Sequence, residues 1–256
     1  MLLAIDIGNT NVTLGVFDGE ALKATWRVAT EPGRMPDEYG LFLRQLLPLK
    51  GVDPGNVTAV SMCSVVPPLT QTFVDLCKTY FSATPLVVGA GVKTGVRVLY
   101  DNPRDVGSDR IADAAAAVHF YGKPAIIVDF GTATVFDAVT KDGEYLGGAI
   151  APGMQVAAEA LYHRTSQLRR VELVRPPAAI GRSTVHSMQS GLVLGYADMV
   201  TGMVARFKKE LGDGCKVIAT GGLAELIAKE ARVFDAVDVN LTLTGLRIIY
   251  EMNTGQ

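Results

Sequence analysis

The chain has 256 residues, 48% hydrophobic and 20% charged, enough to bury a sizeable core and too apolar for a disordered protein. Its 24 basic and 26 acidic residues leave a formal charge of −2 with no basic block, which argues against electrostatic binding to nucleic acid or membrane. Cys63, Cys77 and Cys215 show no Cys-x-x-Cys spacing, so neither a disulfide framework nor a zinc site is expected, and a reducing cytoplasm fits best.

The opening Met1-Leu2-Leu3-Ala4-Ile5-Asp6 has no positive segment and soon meets a carboxylate, unlike a signal peptide, and no apolar run reaches membrane-spanning length. Residues 2–7 read as a strand that turns through Asp6-Ile7-Gly8-Asn9-Thr10 into a second strand, 11–17, closed by the hairpin signal Asp18-Gly19. After Pro36, Tyr39, Leu41, Phe42, Leu43, Leu46 and Leu47 recur at helical spacings. A buried strand over 57–66 ends at Pro67-Pro68, a helix follows over 70–80, and a short strand covers 86–88. Gly, Pro, Asp and Asn make 89–108 a loop, and 109–121 an Ala-rich helix with an acidic start suited to its dipole.

A second half begins near Lys123-Pro124. Its strands, 125–130 and 133–140, repeat the opening pattern, with Asp129-Phe130-Gly131-Thr132-Ala133 at the first turn and Asp142-Gly143 at the second. Gly147-Gly148-Ala149-Ile150-Ala151-Pro152-Gly153 leads into a helix from about Met154. Residues 187–211 read as one long helix whose apolar face is Met188, Leu192, Leu194, Ala197, Met199 and Val204. A strand at 217–219 runs into Thr220-Gly221-Gly222 and a helix over 223–230, and 241–250 forms a last helix. The expected division is therefore 1–121 and 122–256.

An Asp-x-Gly turn alone ends many ordinary strands. A duplicated one, followed each time by the same hairpin, points instead to two phosphate-binding loops facing each other across a nucleotide. The first loop runs through Asp6, Ile7, Gly8, Asn9, Thr10, Asn11, Val12 and Thr13, and offers amides, hydroxyls and a carboxylate route to Mg²⁺. No Gly-Lys-Thr P-loop and no dinucleotide glycine fingerprint is present. Thr220-Gly221-Gly222, between strand and helix, suits an adenosine seat. Gly107-Ser108-Asp109-Arg110 places a carboxylate base beside a guanidinium able to read a remote carboxylate, as phosphorylation of a hydroxylated acid requires. Asp101, Arg104 and Asp105 read as rim charges, and His119, His163 and His186 have no metal-like spacing.

In this order the motifs resemble type III pantothenate kinase, and the likeness runs from Asp6-Ile-Gly-Asn-Thr-Asn-Val-Thr to Thr220-Gly-Gly. The one visible departure is Ser108, where Ala is commoner in the family. The resemblance implies an α/β fold of two similar ribonuclease H-like domains of the actin/hexokinase/Hsp70 superfamily, each a mixed sheet flanked by helices. It implies ATP-dependent phosphorylation of (R)-pantothenate, the first step of coenzyme A synthesis, by a cytoplasmic homodimer. Carried over by position, Asp6 to Thr13 and Thr132 contact ATP, Asp109 is the proton acceptor, and Tyr100, Gly107, Ser108, Asp109, Arg110 and Thr184 line the pantothenate pocket. Asp6 would contact Mg²⁺, directly or through water, and Asp129 would ligate a monovalent cation, K⁺ or NH₄⁺. The 187–211 helix is a candidate for the dimer interface or for core. Rival readings are a kinase of the same superfamily acting on a sugar or another small acid, a non-catalytic transcriptional accessory protein, and a phosphohydrolase.

Overall fold

The computed structural model describes residues 1–212 and 214–255. The chain forms two compact units, one made of 1–96, 101–116 and the residues from 241 onward, the other of 97–100 and 117–240. The division at 121/122 expected from the repeat therefore differs from these units at 97–100, at 117–121 and at the last helix.

The first unit is a five-stranded sheet in the order β3-β2-β1-β4-β5. Its strands are β1 (Leu2–Ile7), β2 (Asn11–Asp18), β3 (Ala21–Ala29), β4 (Ala59–Ser64) and β5 (Leu86–Val87). β1, β2 and β3 are antiparallel, whereas β4 and β5 run parallel to β1. Helices α1 (Pro36–Leu46), α2 (Pro67–Phe81), α3 (Ser108–Tyr121, its last turn assigned to the other unit) and α8 (Leu241–Thr254) complete it. Strand side chains alternate between faces, which gives the sheet two separate cores. Leu3, Ile5, Ile7, Val12 and Leu14 pack with Tyr39 and Leu43 of α1 and Phe73 and Leu76 of α2. Leu2, Ala4, Phe17 and Cys63 pack on the other face with Ala112 and Ala115 of α3 and Leu243, Leu246 and Ile249 of α8. Burying a side chain such as Phe73 stabilises the fold by about 1.5–3 kcal/mol. With both faces covered, β1 reads as an apolar run interrupted only by Asp6 rather than as an alternating one.

Helix α2 starts on Pro67 and Pro68, not near Thr70, because proline is well tolerated in a first turn whose amides lack intrahelical acceptors. The segment 89–108, expected to be loop, carries a two-residue strand, β6 (Arg97–Val98), and a single 3-10 turn at Pro103–Asp105.

The second unit holds a six-stranded sheet. It comprises β6, β7 (Ala125–Phe130), β8 (Ala133–Val139), β9 (Glu144–Pro152), β10 (Lys216–Thr220) and β11 (Ala236–Val237), in the order β11-β10-β7-β8-β9-β6. The helices are α4 (Met154–Arg164), α5 (Thr184–Gln189), α6 (Gly195–Leu211) and α7 (Ala224–Ala231). A π-helical turn, Ser190–Leu194, joins α5 to α6 and interrupts the single long helix expected over 187–211. Ala197, Val200 and Val204 of that helix pack with Val128, Phe136 and Val217, the core placement that was one of the two expected for it.

The glycine-rich run before α4, to which the sequence assigns no element, is strand β9 as far as Pro152. At Gly148 a Cβ would overlap the Phe136 carbonyl, and Gly147 takes a left-handed φ of 108° beside a register shift at Ala138/Val139. These glycines admit close strand packing and a bulge. Among the described residues no helix is long and apolar enough to cross a membrane.

Candidate active site

The two Asp-x-Gly turns are the same device with one residue of difference. In the first unit Ile7 pairs with Val12, and the Gly8 amide donates to the Asn11 carbonyl at 3.0 Å. In the second, Phe130 pairs with Thr134, and the Gly131 amide donates to the Ala133 carbonyl at 3.0 Å. The residue after β3 ties down the first turn: the Thr30 hydroxyl donates to the Gly8 carbonyl at 2.6 Å and its amide to the Thr10 carbonyl at 3.0 Å. Ile7 and Val12 are fully buried, so of these two only the backbone can face a ligand, while Asn9 and Thr10 are exposed.

Register then decides what surrounds Asp6. Arg27 pairs with Thr13, Thr13 with Asp6, and Asp6 with Cys63, a row across β3, β2, β1 and β4 whose side chains share one face. The Cys63 thiol donates to Asp6 Oδ1 at 3.4 Å. From the same side comes the start of α3. The Ser108 hydroxyl accepts from the Ser64 amide at 3.1 Å and donates to the Ser64 carbonyl at 3.2 Å, pinning the helix to the end of β4. Asp109 Oδ1 accepts the Arg110 amide at 2.8 Å. That carboxylate folds back over Gly107, where a methyl group would collide with it.

Two carboxylates thus meet in a desolvated place. Burial, followed by the charge of Asp109, pushes the Asp6 carboxyl up from 3.8 to about 7, while the Cys63 hydrogen bond and the Arg27 guanidinium oppose the rise. Burial also raises Asp109, opposed by its bond to the Arg110 amide and the Arg110 charge. Burial and the neighbouring Asp6 and Asp109 hold the Cys63 thiol well above its ordinary range, so it stays protonated as a donor. A paired set of raised carboxylates is a frequent mark of proton-transfer and cation-binding sites. It suits a divalent cation, whose charge would relieve the repulsion. Among the described residues no cluster of three or more His, Cys, Asp or Glu could hold a metal, so such an ion would depend on substrate oxygens and water as well.

In the second unit Asp129, one residue before the end of β7, pairs with Thr220 of β10. Gly221 follows with φ 89°, and a side chain there would overlap Asp129 Oδ1 and the Phe130 backbone. Gly153 lies just as tightly on the carbonyls of Gly131 and Thr132, and its amide donates to the Thr132 carbonyl at 3.0 Å. The second turn, the Thr220-Gly221-Gly222 turn and the start of α4 therefore form one set of closely packed backbones, with the Thr132 side chain exposed. Tyr100, half-exposed, lies with its ring over Gly147. Thr184 lies apart from these turns in sequence, on a cavity of about 370 Å³ lined by Leu161, Leu168, Ser187, Met188, Gly191 and Leu192. Cys63, Ser64 and Thr30 escape a sequence reading because strand register alone brings them to the loop.

Residues 2–206 match the type III pantothenate kinase family. Type III pantothenate kinase from Roseiflexus sp. is 54% identical over 253 residues, 99% of each chain. The protein of that name from Myxococcus xanthus is 55% identical with the same coverage. Among solved structures, an inorganic polyphosphate/ATP-glucomannokinase from Arthrobacter superposes with a TM-score of 0.52 at 15% identity, covering 98% of both chains. A protein described as a Baf family transcriptional activator from Campylobacter jejuni does so with 0.61 at 20%, covering 99% of this chain and 100% of its own. These likenesses are of fold, the actin/hexokinase/Hsp70 type with a mixed sheet in each unit.

Proposed function

The chain belongs to the type III pantothenate kinase family, and from that premise we propose how its residues transfer the γ-phosphoryl group of ATP to the primary hydroxyl of (R)-pantothenate, the opening step of coenzyme A synthesis. Asp109 accepts the hydroxyl proton as the oxygen attacks phosphorus and the bond to the β-phosphate oxygen breaks, releasing ADP and 4′-phosphopantothenate. Its burial makes the carboxylate a stronger proton acceptor than a solvated one. General-base help is worth about 10²–10⁴-fold, so orientation and electrostatics supply the rest. The observation that carries this reading is the start of α3, with Asp109, pinned through Ser108 to the end of β4 beside Asp6.

The first loop, Asp6 to Thr13, and Thr132 hold the triphosphate in this reading. Asp6 would hold Mg²⁺, which supplies charge neutralisation on the phosphoryl oxygens when bound. Asp129 would hold a monovalent cation. Gly107 to Arg110, Tyr100 and Thr184 line the acceptor pocket, with Arg110 reading the pantothenate carboxylate. The enzyme acts in the cytoplasm as a homodimer. Support for the dimer is the set of exposed apolar residues Leu146 and Ile150 on β9, Val156 and Leu161 on α4, and Val185 on α5. A coupled assay with pantothenate and ATP tests the activity, and a panel of sugars and hydroxy acids tests the acceptor. Phosphate release without an acceptor, or turnover of a sugar in preference to pantothenate, would overturn it.

A further inference from the structure

Nothing in the phosphate-binding apparatus described so far supplies a cationic side chain for the polyphosphate. The first loop has none among Asp6 to Thr13, and Arg110 faces the acceptor in the reading above. A chain of four negative phosphate oxygens in a partly desolvated site ordinarily meets at least one Lys or Arg. The sheet of the first unit provides one. Arg27 stands on β3 in register with Thr13 and, through it, with Asp6, so its side chain leaves the sheet on the face from which both carboxylates approach. Its neighbour Trp26 takes the opposite face and is buried in the other core, which fixes the side on which Arg27 lies. Adjacent strands are about 4.8 Å apart, so two strand spacings separate the Arg27 and Asp6 backbones by about 10 Å, within the combined reach of a guanidinium and a bound phosphate.

The rest of the environment leaves Arg27 available. It is exposed, and its guanidinium, which acts on Asp6 through charge, makes no hydrogen bond or ion pair with any described residue. The strand beneath it is held firmly: Thr30, three residues on, bonds the loop carbonyls of Gly8 and Thr10. A guanidinium with no hydrogen-bond or ion-pair partner among the described residues, carried on a strand laced to a phosphate turn, is placed to receive a ligand.

We propose that Arg27 is the polyphosphate-reading cation of the first unit, its guanidinium donating to phosphoryl oxygens of the nucleotide held by the Asp6–Thr13 loop. This rests on the kinase reading. Arg27 forms no bond that the fold needs, so its variants test binding without disturbing folding. In Arg27→Gln the KM for ATP rises about tenfold or more, the loss of one charge-assisted contact, while the KM for pantothenate and the Tm of the free protein stay at wild-type values. Arg27→Lys, keeping charge but not the planar fork, falls between.

The second readout is calorimetric, with inorganic tripolyphosphate as the probe and neither acceptor nor turnover involved. Tripolyphosphate binds the wild type, and its affinity drops about tenfold in Arg27→Gln. An unchanged ATP KM in Arg27→Gln, or tripolyphosphate affinity equal in wild type and variant, overturns the assignment. Asp109→Asn separates the two levels. If wild type phosphorylates pantothenate and Asp109→Asn does not, yet Arg27→Gln behaves as wild type, only the Arg27 inference fails. If wild type does not phosphorylate pantothenate, the kinase reading itself fails.

Discussion

Asp6 combines a carboxylate proposed to hold Mg²⁺ with an unfavourable position. Its ordinary pKa of 3.8 is displaced to about 7 in the folded chain. Between those values the folded chain keeps a proton that the unfolded chain has given up, so stability present at pH 4 erodes as pH rises toward 7. Asp6→Asn should therefore flatten the pH dependence of Tm and raise Tm at pH 8 by about 10 °C, while turnover collapses. Thermal melts of both proteins from pH 4 to 8 check this, and parallel curves would refute it. Asp109→Asn should lower kcat by at least about 10²-fold and leave ATP binding near wild type, because the acid–base contribution is lost and the phosphate loop is not. Asp129→Ala should abolish activation by K⁺; a variant still K⁺-dependent would move the ion elsewhere. The motif residues themselves, from Asp6 to Thr13 and from Gly107 to Arg110, could be read from the sequence because each is local. Their neighbours could not. Cys63 and Arg27 reach Asp6 through strand pairing across 57 and 21 residues of chain, and no spacing in the sequence announces that.

Elements meet closely where glycine replaces a side chain, and that is where they are most easily broken. Gly245 of α8 faces the backbone carbonyl of Ala112 on α3, and a methyl group there would overlap it. Gly245→Ala should destabilise the fold by about 1–3 kcal/mol or more, because neither backbone can yield as a side chain would. Denaturant unfolding measures the loss, and a stability within 0.5 kcal/mol of wild type would show that the helices separate freely. Most strands and helices were legible from hydrophobic period and turn signals. β9 was not, since its Gly147 and Gly148 resemble a loop until β8 is laid beside them. The π turn at Ser190–Leu194 was equally hidden, because one extra residue per turn barely alters the apolar spacing of a helix.

At the scale of the whole molecule, the duplicated plan was visible as a repeated motif, and each repeat became an antiparallel trio joined to parallel strands. The 187–211 helix, expected in a dimer interface or in core, turns Ala197, Val200 and Val204 to core, and apolar periodicity alone could not choose between the two; a homodimer contact is to be sought elsewhere. The exposed apolar residues of β9 and α4 are the better candidates, with Ile150 65% exposed. Ile150→Asp should convert a dimer to monomers in light scattering and leave the monomer folded. A dimer that persists would exclude β9 from the contact.

Helix α8 covers one face of a sheet whose other strands belong to the first hundred residues. During synthesis, then, the amino-terminal sheet leaves the ribosome with Leu2, Ala4 and Phe17 covered at most by α3, and lacks Leu243, Leu246 and Ile249 against that face until everything up to residue 240 has followed. The later-made unit can mature before the earlier one, and a ribosome stalled ahead of Leu241 would release a nascent chain with a sticky, half-clothed sheet for chaperones to guard.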